Sequence, residues 1–303
     1  MDTKFFVSRR KARGLSQAVL CEGICTQSTL SKFENNTQVP SLPILRQLCE
    51  RLDLSIDDLD EERRRSDWLR HQLDWTEEEL MVENYQRAKQ LLAAIPTAEI
   101  TSTTAKMQYS YLQGLLVTLV GAADTTALFS FTRILDELDE EHQTIFAQLA
   151  YLGEGILYAR RRALDQAAFF MAKVKTYLEQ LTEQSDPHGD NVNNARLLTM
   201  VYYLAEYHAL IKEYDQSNKY LDQGLTRCAQ EHVTYFLPRL KLLAAQNALE
   251  TGASPAVVID NLLDARAFAR LNHNNTVLVQ SMSLIKHYQD LLAGKPLDEG
   301  NAK

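Results

Sequence analysis

Apolar residues recur at three- and four-residue steps along nearly the whole chain, and this one periodicity narrows the fold more than any other feature. Leu42, Leu45, Leu48 and Leu52 make one stripe. Leu80, Tyr85, Ala88, Leu91 and Leu92 make a second, interrupted at Pro96. Met107, Tyr111, Leu115 and Val120 continue the pattern, and Leu128, Phe131, Leu135 and Leu138 repeat it. Each stripe is one face of an amphipathic helix, and no segment alternates convincingly as a strand does. The 303 residues hold only eleven glycines and seven prolines, too few for the tight turns of a many-stranded sandwich or barrel. An all-α fold is predicted. At 45% apolar and 24% charged residues, wholesale disorder is excluded.

The carboxy-terminal part is also self-similar. GILYARRRALDQAAFFMAKV reads as the end of one helix, a turn and a returning helix, with Gly155, Tyr158, Ala167 and Phe170 at its small and aromatic positions. LAEYHALIKEYDQSNKYLDQGL sets Ala205, His208, Tyr214 and Tyr220 in a similar frame. LAAQNALETGASPAVVIDNLLDA gives a weaker copy with Ala245, Gly252 and Ala265. The frame resembles a degenerate tetratricopeptide repeat, lengthened to about 50 residues by an inserted loop at 184–193. Small residues at helix crossings, with aromatics between them, suit stacked hairpins that bury a continuous core and leave a concave groove. A helical bundle without repeats is the alternative.

The amino-terminal part differs in charge. Residues 1–46 hold seven basic and three acidic groups, a balance of +4, against −12 for the remainder. A basic head on an acidic body is the asymmetry expected when only the head meets phosphate. TKFFVSRRKAR at 3–13 predicts a helix stopped by Gly14. Ser16 is the expected N-cap of a second helix over 17–22, broken by Gly23, and Thr26 that of a third over 27–35. Leu30 and Phe33 lie on one face of the third helix, with Gln27, Ser28, Ser31 and Lys32 largely on the other. Two short helices joined by a tight turn, the second presenting a polar face without negative charge, form a helix-turn-helix DNA reader.

Gly14-Leu15-Ser16-Gln17, Leu20, the run from Gln27 to Glu34, Pro40-Ser41 and Leu45 resemble the phage-repressor-like (XRE) helix-turn-helix family over about 60 residues. Ile24, Cys25, Gln27, Ser28, Ser31, Lys32 and Glu34 are further similar to a stretch typical of the Rgg–PlcR (RRNPP) branch of peptide-pheromone receptors. Asn35-Asn36 stand where many relatives have Gly, and Asn tolerates the left-handed turn. The resemblance implies an ion pair between Arg10 and Glu34. Gln27 is expected to read adenine and Lys32 guanine, with Ser28 a less discriminating base contact. Arg13, Ser16, Gln17, Thr26, Ser31 and Ser41 are expected on phosphate, which sets register.

The charged segment EERRRSDW following Asp60 marks a boundary. The expected organisation is a DNA-binding domain at 1–62, a linker or connecting helix at 63–74, and a repeat domain at 75–303 for sensing and dimerisation. Nothing in the sequence matches a hydrolase, nucleotide-binding or metalloprotease motif, so no enzyme and no cofactor are expected. Asp186, His188 and Asp190 surround Pro187 and Gly189, and a turn accounts for them more simply than a metal. The four cysteines make no CxxC pair and read as small buried thiols. No bilayer-spanning run and no signal-peptide core are present, so the protein is expected in the cytoplasm, away from membranes.

By the Rgg–PlcR resemblance, the partners are a double-stranded DNA operator, a short signalling peptide and a second copy of the chain in a homodimer. In a tetratricopeptide-like array the first helix of each pair lines the groove. That frame turns Arg160, Tyr202, Tyr203, Glu206, Arg239 and Gln246 toward the peptide, with Asn247 replacing Gln246 under a one-residue shift. The vicinal pair Tyr202-Tyr203 cannot point one way, so one of the two is expected in the core. A phage-type repressor, or a protein-interaction scaffold tethered to DNA, would carry the same head without a peptide ligand.

Overall fold

The computed structural model describes residues 1–183 and 191–292, and two compact units divide between Gln72 and Leu73. Among the described residues there is no strand.

The first unit opens with α1 (Thr3–Ala12), α2 (Gln17–Cys21), α3 (Gln27–Glu34) and α4 (Leu42–Arg51). Each start has a local cause. Asp2, Ser16 and Thr26 accept from the backbone N–H of Phe5, Val19 and Thr29, meeting donors that the helix leaves unpaired. Each stop has one too: Gly14, Gly23 and Asn36 take left-handed φ of 67°, 73° and 59°. The stripes then meet in a core of Phe6, Leu20, Leu30, Phe33, Leu45, Leu48 and Leu52, with the rings of Phe6 and Phe33 edge to face at 5.1 Å. Leu42 departs from the predicted stripe. It begins α4 on the solvent side and stays 60% exposed.

The segment around the arginine run is helical: α5 spans Glu61–Met81 and crosses the division between the units. The second unit continues with α6 (Tyr85–Ala93), α7 (Thr103–Val120) and α8 (Asp124–Arg133), which ends in a wider π-helical turn over Ile134–Leu138. Val120 belongs to no core, because it is the last residue of α7 before the left-handed Gly121 and is half exposed.

Next come α9 (Ile145–Arg160), α10 (Leu164–Glu183), α11 (Asn191–Leu210), α12 (Tyr214–Gln230), α13 (Leu237–Glu250), α14 (Pro255–Leu271) and α15 (Asn275–Leu292). The three self-similar segments fall on the hairpins α9–α10, α11–α12 and α13–α14, and their turns are built alike. Arg162, Lys212 and Gly252 adopt left-handed φ two residues past the helix end. The next N–H reaches back to the carbonyl of Tyr158, His208 or Ala248 at 2.8–3.0 Å, closing a Schellman motif. The rings repeat as well: Tyr158 stacks on Phe170 at 5.7 Å, and His208 on Tyr220 at 5.5 Å. The helices α7, α9, α11 and α13 touch in succession, so the first members of the hairpins form one layer.

Helix length contributes to the spacing of the copies. The helices α10 and α11 each run for 20 residues, and Asn191 already opens α11 inside the stretch expected to be loop. Residues 184–190, with Asp186, His188 and Asp190, lie outside the described residues. No group of three metal-ligating side chains occurs among the described residues, and none of the helices there is long and apolar enough to cross a membrane.

Candidate DNA interface and ligand groove

The third helix is amphipathic in the required sense. Leu30 and Phe33 are fully buried, while Gln27, Ser28 and Lys32 are exposed on the opposite side. Its orientation on the first helix is set by charge. Arg10 grips Glu34 with Nε to Oε1 at 2.7 Å and Nη2 to Oε2 at 2.8 Å, and its Nη1 donates to the Leu15 carbonyl at 2.8 Å. Both side chains are almost wholly buried, so the pair operates with little screening.

The expected phosphate contacts divide into two sets. Ser16 and Thr26 are exposed N-caps, Ser41 is exposed at the start of α4, and Ser31 is half-buried. Gln17 is drawn inward: its amide donates to Glu34 Oε2 at 2.8 Å, because the buried carboxylate has an oxygen to satisfy. Arg13 pairs with Asp53 and donates to the Arg51 carbonyl at 3.2 Å, so in the free protein its charge is already met. Arg51 did not stand out in the sequence. Its Nη1 donates to the carbonyls of Leu20 at 3.0 Å and Glu22 at 2.6 Å, fastening the end of α2 to α4. An unpaired helix C-terminus followed by a distant Arg is too weak a pattern to reveal that clasp.

In the second unit the predicted groove residues separate by depth. Arg160 is exposed at the end of α9 and donates to the Leu119 carbonyl at 2.8 Å. Glu206 is half-buried and accepts from the Tyr202 hydroxyl at 3.2 Å. Gln246 is exposed. Asn247 points the other way: it is 1% exposed and donates to Ser217 and Asn218 at 2.8 and 2.9 Å, tying α13 to α12. It is a packing residue. Tyr202 and Tyr203 are both buried, where a single core tyrosine was expected, because Arg239 fills the space between α11 and α13. Its guanidinium lies 3.8 Å above the Tyr202 ring and 5.0 Å from that of Tyr203. Burial pushes both phenols up, partly opposed by this guanidinium.

Three cavities lie in this unit and share some of their lining residues. One of about 420 Å³ is walled by Arg160, Arg162, Glu206, Tyr207, Met171 and Leu243. A small one, with room for about one water (≈ 10 Å³), is lined by Glu77, Tyr111, Thr199, Tyr203 and Arg239. A third, of about 530 Å³, is walled by Asp74, Glu77, Glu78, Glu231, Val233 and Tyr235. Two lining residues of the small cavity belong to ion pairs: Glu77 with Arg196 at 2.9 Å, and Arg239 with Glu83 at 3.7 Å. Neither pair was visible in the sequence, since their partners are more than a hundred residues apart.

Residues 8–59 match the helix-turn-helix family. No curated protein is detectably similar to the chain in sequence. Among solved structures, PlcR of Bacillus thuringiensis in complex with the peptide PapR7 and DNA is similar at 15% identity, with 92% of this chain and 98% of that one covered and a TM-score of 0.58. ComR from S. thermophilus, in complex with DNA and its signalling peptide ComS, is 14% identical over 94% of this chain and 98% of that one, with a TM-score of 0.52. The apo form of the competence regulator ComR from Streptococcus vestibularis is 16% identical over 96% and 97%, with a TM-score of 0.51. The amino-terminal unit is thus a helix-turn-helix domain, carried on a chain with the all-helical fold of PlcR and ComR.

Proposed function

We propose that the chain is a cytoplasmic, homodimeric transcription regulator whose helix-turn-helix head binds an operator under control of a short signalling peptide held by the helical repeats. It is not an enzyme. The observation that carries this reading is the exposed row Gln27, Ser28 and Lys32, on a helix fixed from beneath by Leu30, Phe33 and the Arg10–Glu34 pair, within a matched helix-turn-helix domain. The similar fold of PlcR, solved with both PapR7 and DNA, supports the two partners. In this reading residues 1–62 bind DNA, 63–74 connect, and 75–303 sense peptide and dimerise. Ser16, Thr26, Ser31 and Ser41 serve phosphate, Arg13 joins them on leaving Asp53, and Gln17 holds the ion pair. Arg160, Tyr203 and Glu206 wall the groove. A symmetric pair of heads doubles the few base pairs one head reads and predicts a two-fold operator. The experiment is selection of duplexes from a random pool by the full chain, with and without pooled heptapeptides. Enrichment of an inverted repeat, altered by peptide, is expected; enrichment of no sequence would reject the reading.

A further inference from the structure

Two chemistries meet in the 420 Å³ cavity. Arg160 and Arg162 line it from the end of α9 and the turn beyond, and both are exposed, so its basic side is open to water. Ile156, Met171 and Leu243 line it as well, and all three are buried. Arg160 and Arg162 pair with no carboxylate among the described residues, whereas Arg161 between them pairs with Asp124. Arg160 spends one N–H on the Leu119 carbonyl at 2.8 Å, which steadies its guanidinium and leaves other donors for a ligand.

Glu206 is the carboxylate in the same lining. It accepts from the Tyr202 hydroxyl at 3.2 Å and lies in the field of the Arg239 cation, and it forms an ion pair with neither exposed arginine. Two cations against one anion leave the lining with a surplus of positive charge. A guanidinium answers a carboxylate with two parallel N–H···O bonds, and buried apolar walls answer an apolar group. A ligand that uses both must carry an anion and an apolar group close together.

We propose that this cavity is a subsite for the last residue of a peptide: its terminal carboxylate lies against Arg160 and Arg162, and its apolar side chain enters among Ile156, Met171 and Leu243. The assignment rests on the peptide-sensor reading. An acidic side chain brings the same carboxylate. Only the last residue of a chain, however, carries a carboxylate and an apolar side chain on one Cα, so that it meets the basic and the apolar walls at once. The cavity's volume stands near the lower end for ligand sites, which suits one end of a peptide rather than the whole.

The test uses the full chain and four heptapeptide pools, all with a free amino end and with uncharged residues at the first six positions. The pools end in Leu as free acid, Leu as carboxamide, Ser as free acid, and Glu as carboxamide. Retention of the first pool on the protein is expected to exceed that of the second and of the third by about tenfold each. In an Arg160→Gln, Arg162→Gln chain the first two pools should be retained alike, while the first still exceeds the third, with circular dichroism confirming the fold. Arg162→Gln alone, whose side chain bonds nothing among the described residues, should already narrow the gap between the first two. Retention of the fourth pool as strong as that of the first would give the arginines to an acidic side chain and overturn the assignment to a terminus. Equal retention of the first and third would overturn its apolar half. Equal retention of the first and second by the unmodified chain would overturn the subsite and leave the peptide-sensor reading standing. Retention of none, by a chain that still melts cooperatively, would overturn both.

Discussion

Replacing Glu34 by Gln removes one charge from a nearly isosteric side chain, and its cost follows from three bonds. Glu34 accepts from Arg10 twice, at 2.7 and 2.8 Å, and from Gln17 at 2.8 Å. All three partners are donors, so the amide nitrogen of a glutamine must turn toward one of them. The Arg10 guanidinium, itself buried, keeps only the Leu15 carbonyl as a full acceptor. Stranding a buried charge costs about 3–5 kcal/mol. A unit of this size holds only about 4–11 kcal/mol of stability, so the loss is a large part of the whole. Hydrogen exchange on the full chain reads it directly. The slowest amides of α1 and α3 should exchange about two to four orders of magnitude faster. Amides of α9 to α14 serve as an internal control and should not change. An Arg10→Met, Glu34→Leu chain, which removes both charges, should recover most of the protection. Unchanged exchange in α1 and α3 of the Glu34→Gln chain would refute the claim that this pair fixes the recognition helix.

Gln27→Ala and Lys32→Ala should each weaken operator binding by about 1–3 kcal/mol and relax one operator position, as competition with scrambled duplex would show; equal loss on every sequence would mean that α3 does not read bases. Phe131 is fully buried between Gly114 and Gly153, and a Cβ on either glycine would run into its ring. Gly153→Ala should therefore cost about 1–3 kcal/mol of stability, partly restored by Phe131→Leu in the same chain, and an unshifted thermal midpoint would dismiss the close approach. Burial and Asp136 push the Glu154 carboxyl up to about 7. With its folded value above its unfolded one, Glu154 favours the folded state at low pH and loses that advantage as pH rises from about 4.5 through 7, by about 3 kcal/mol at most. Glu154→Gln should raise the thermal midpoint at pH 8 and leave it near that of the unmodified chain at pH 5; parallel profiles would contradict the shift.

Local chemistry was legible in the sequence; depth was not. Ser16 and Thr26 announced their helices because capping depends on a few consecutive residues. The repeat frame placed Gly155, Ala205 and Ala245 at helix crossings because small residues there have a local spacing. The side on which a residue lies within the array of hairpins depends instead on distant neighbours. Asn247 reads like Gln246 in the sequence, and only Ser217 and Asn218, about thirty residues earlier, draw it into the packing. Tyr202 and Tyr203 could both be buried only because Arg239 supplies a flat cation for their rings. The ion pairs Glu77–Arg196 and Glu83–Arg239 join segments that no local pattern connects.

The left-handed turn after α9 bears on how far this chain can be stabilised. Arg162 holds φ at 59°, which an L-residue with a Cβ adopts at a cost of about 1–2 kcal/mol, whereas Gly252 meets the same demand in the third hairpin without that penalty. Glycine at 162 would thus suit the backbone better, yet the arginine is one of two that line the 420 Å³ cavity. Under the proposed function, stability and peptide binding therefore pull in opposite directions at one position. Arg162→Gly should raise the thermal midpoint while weakening retention of the proposed peptide, so a screen for robust variants would select against that binding.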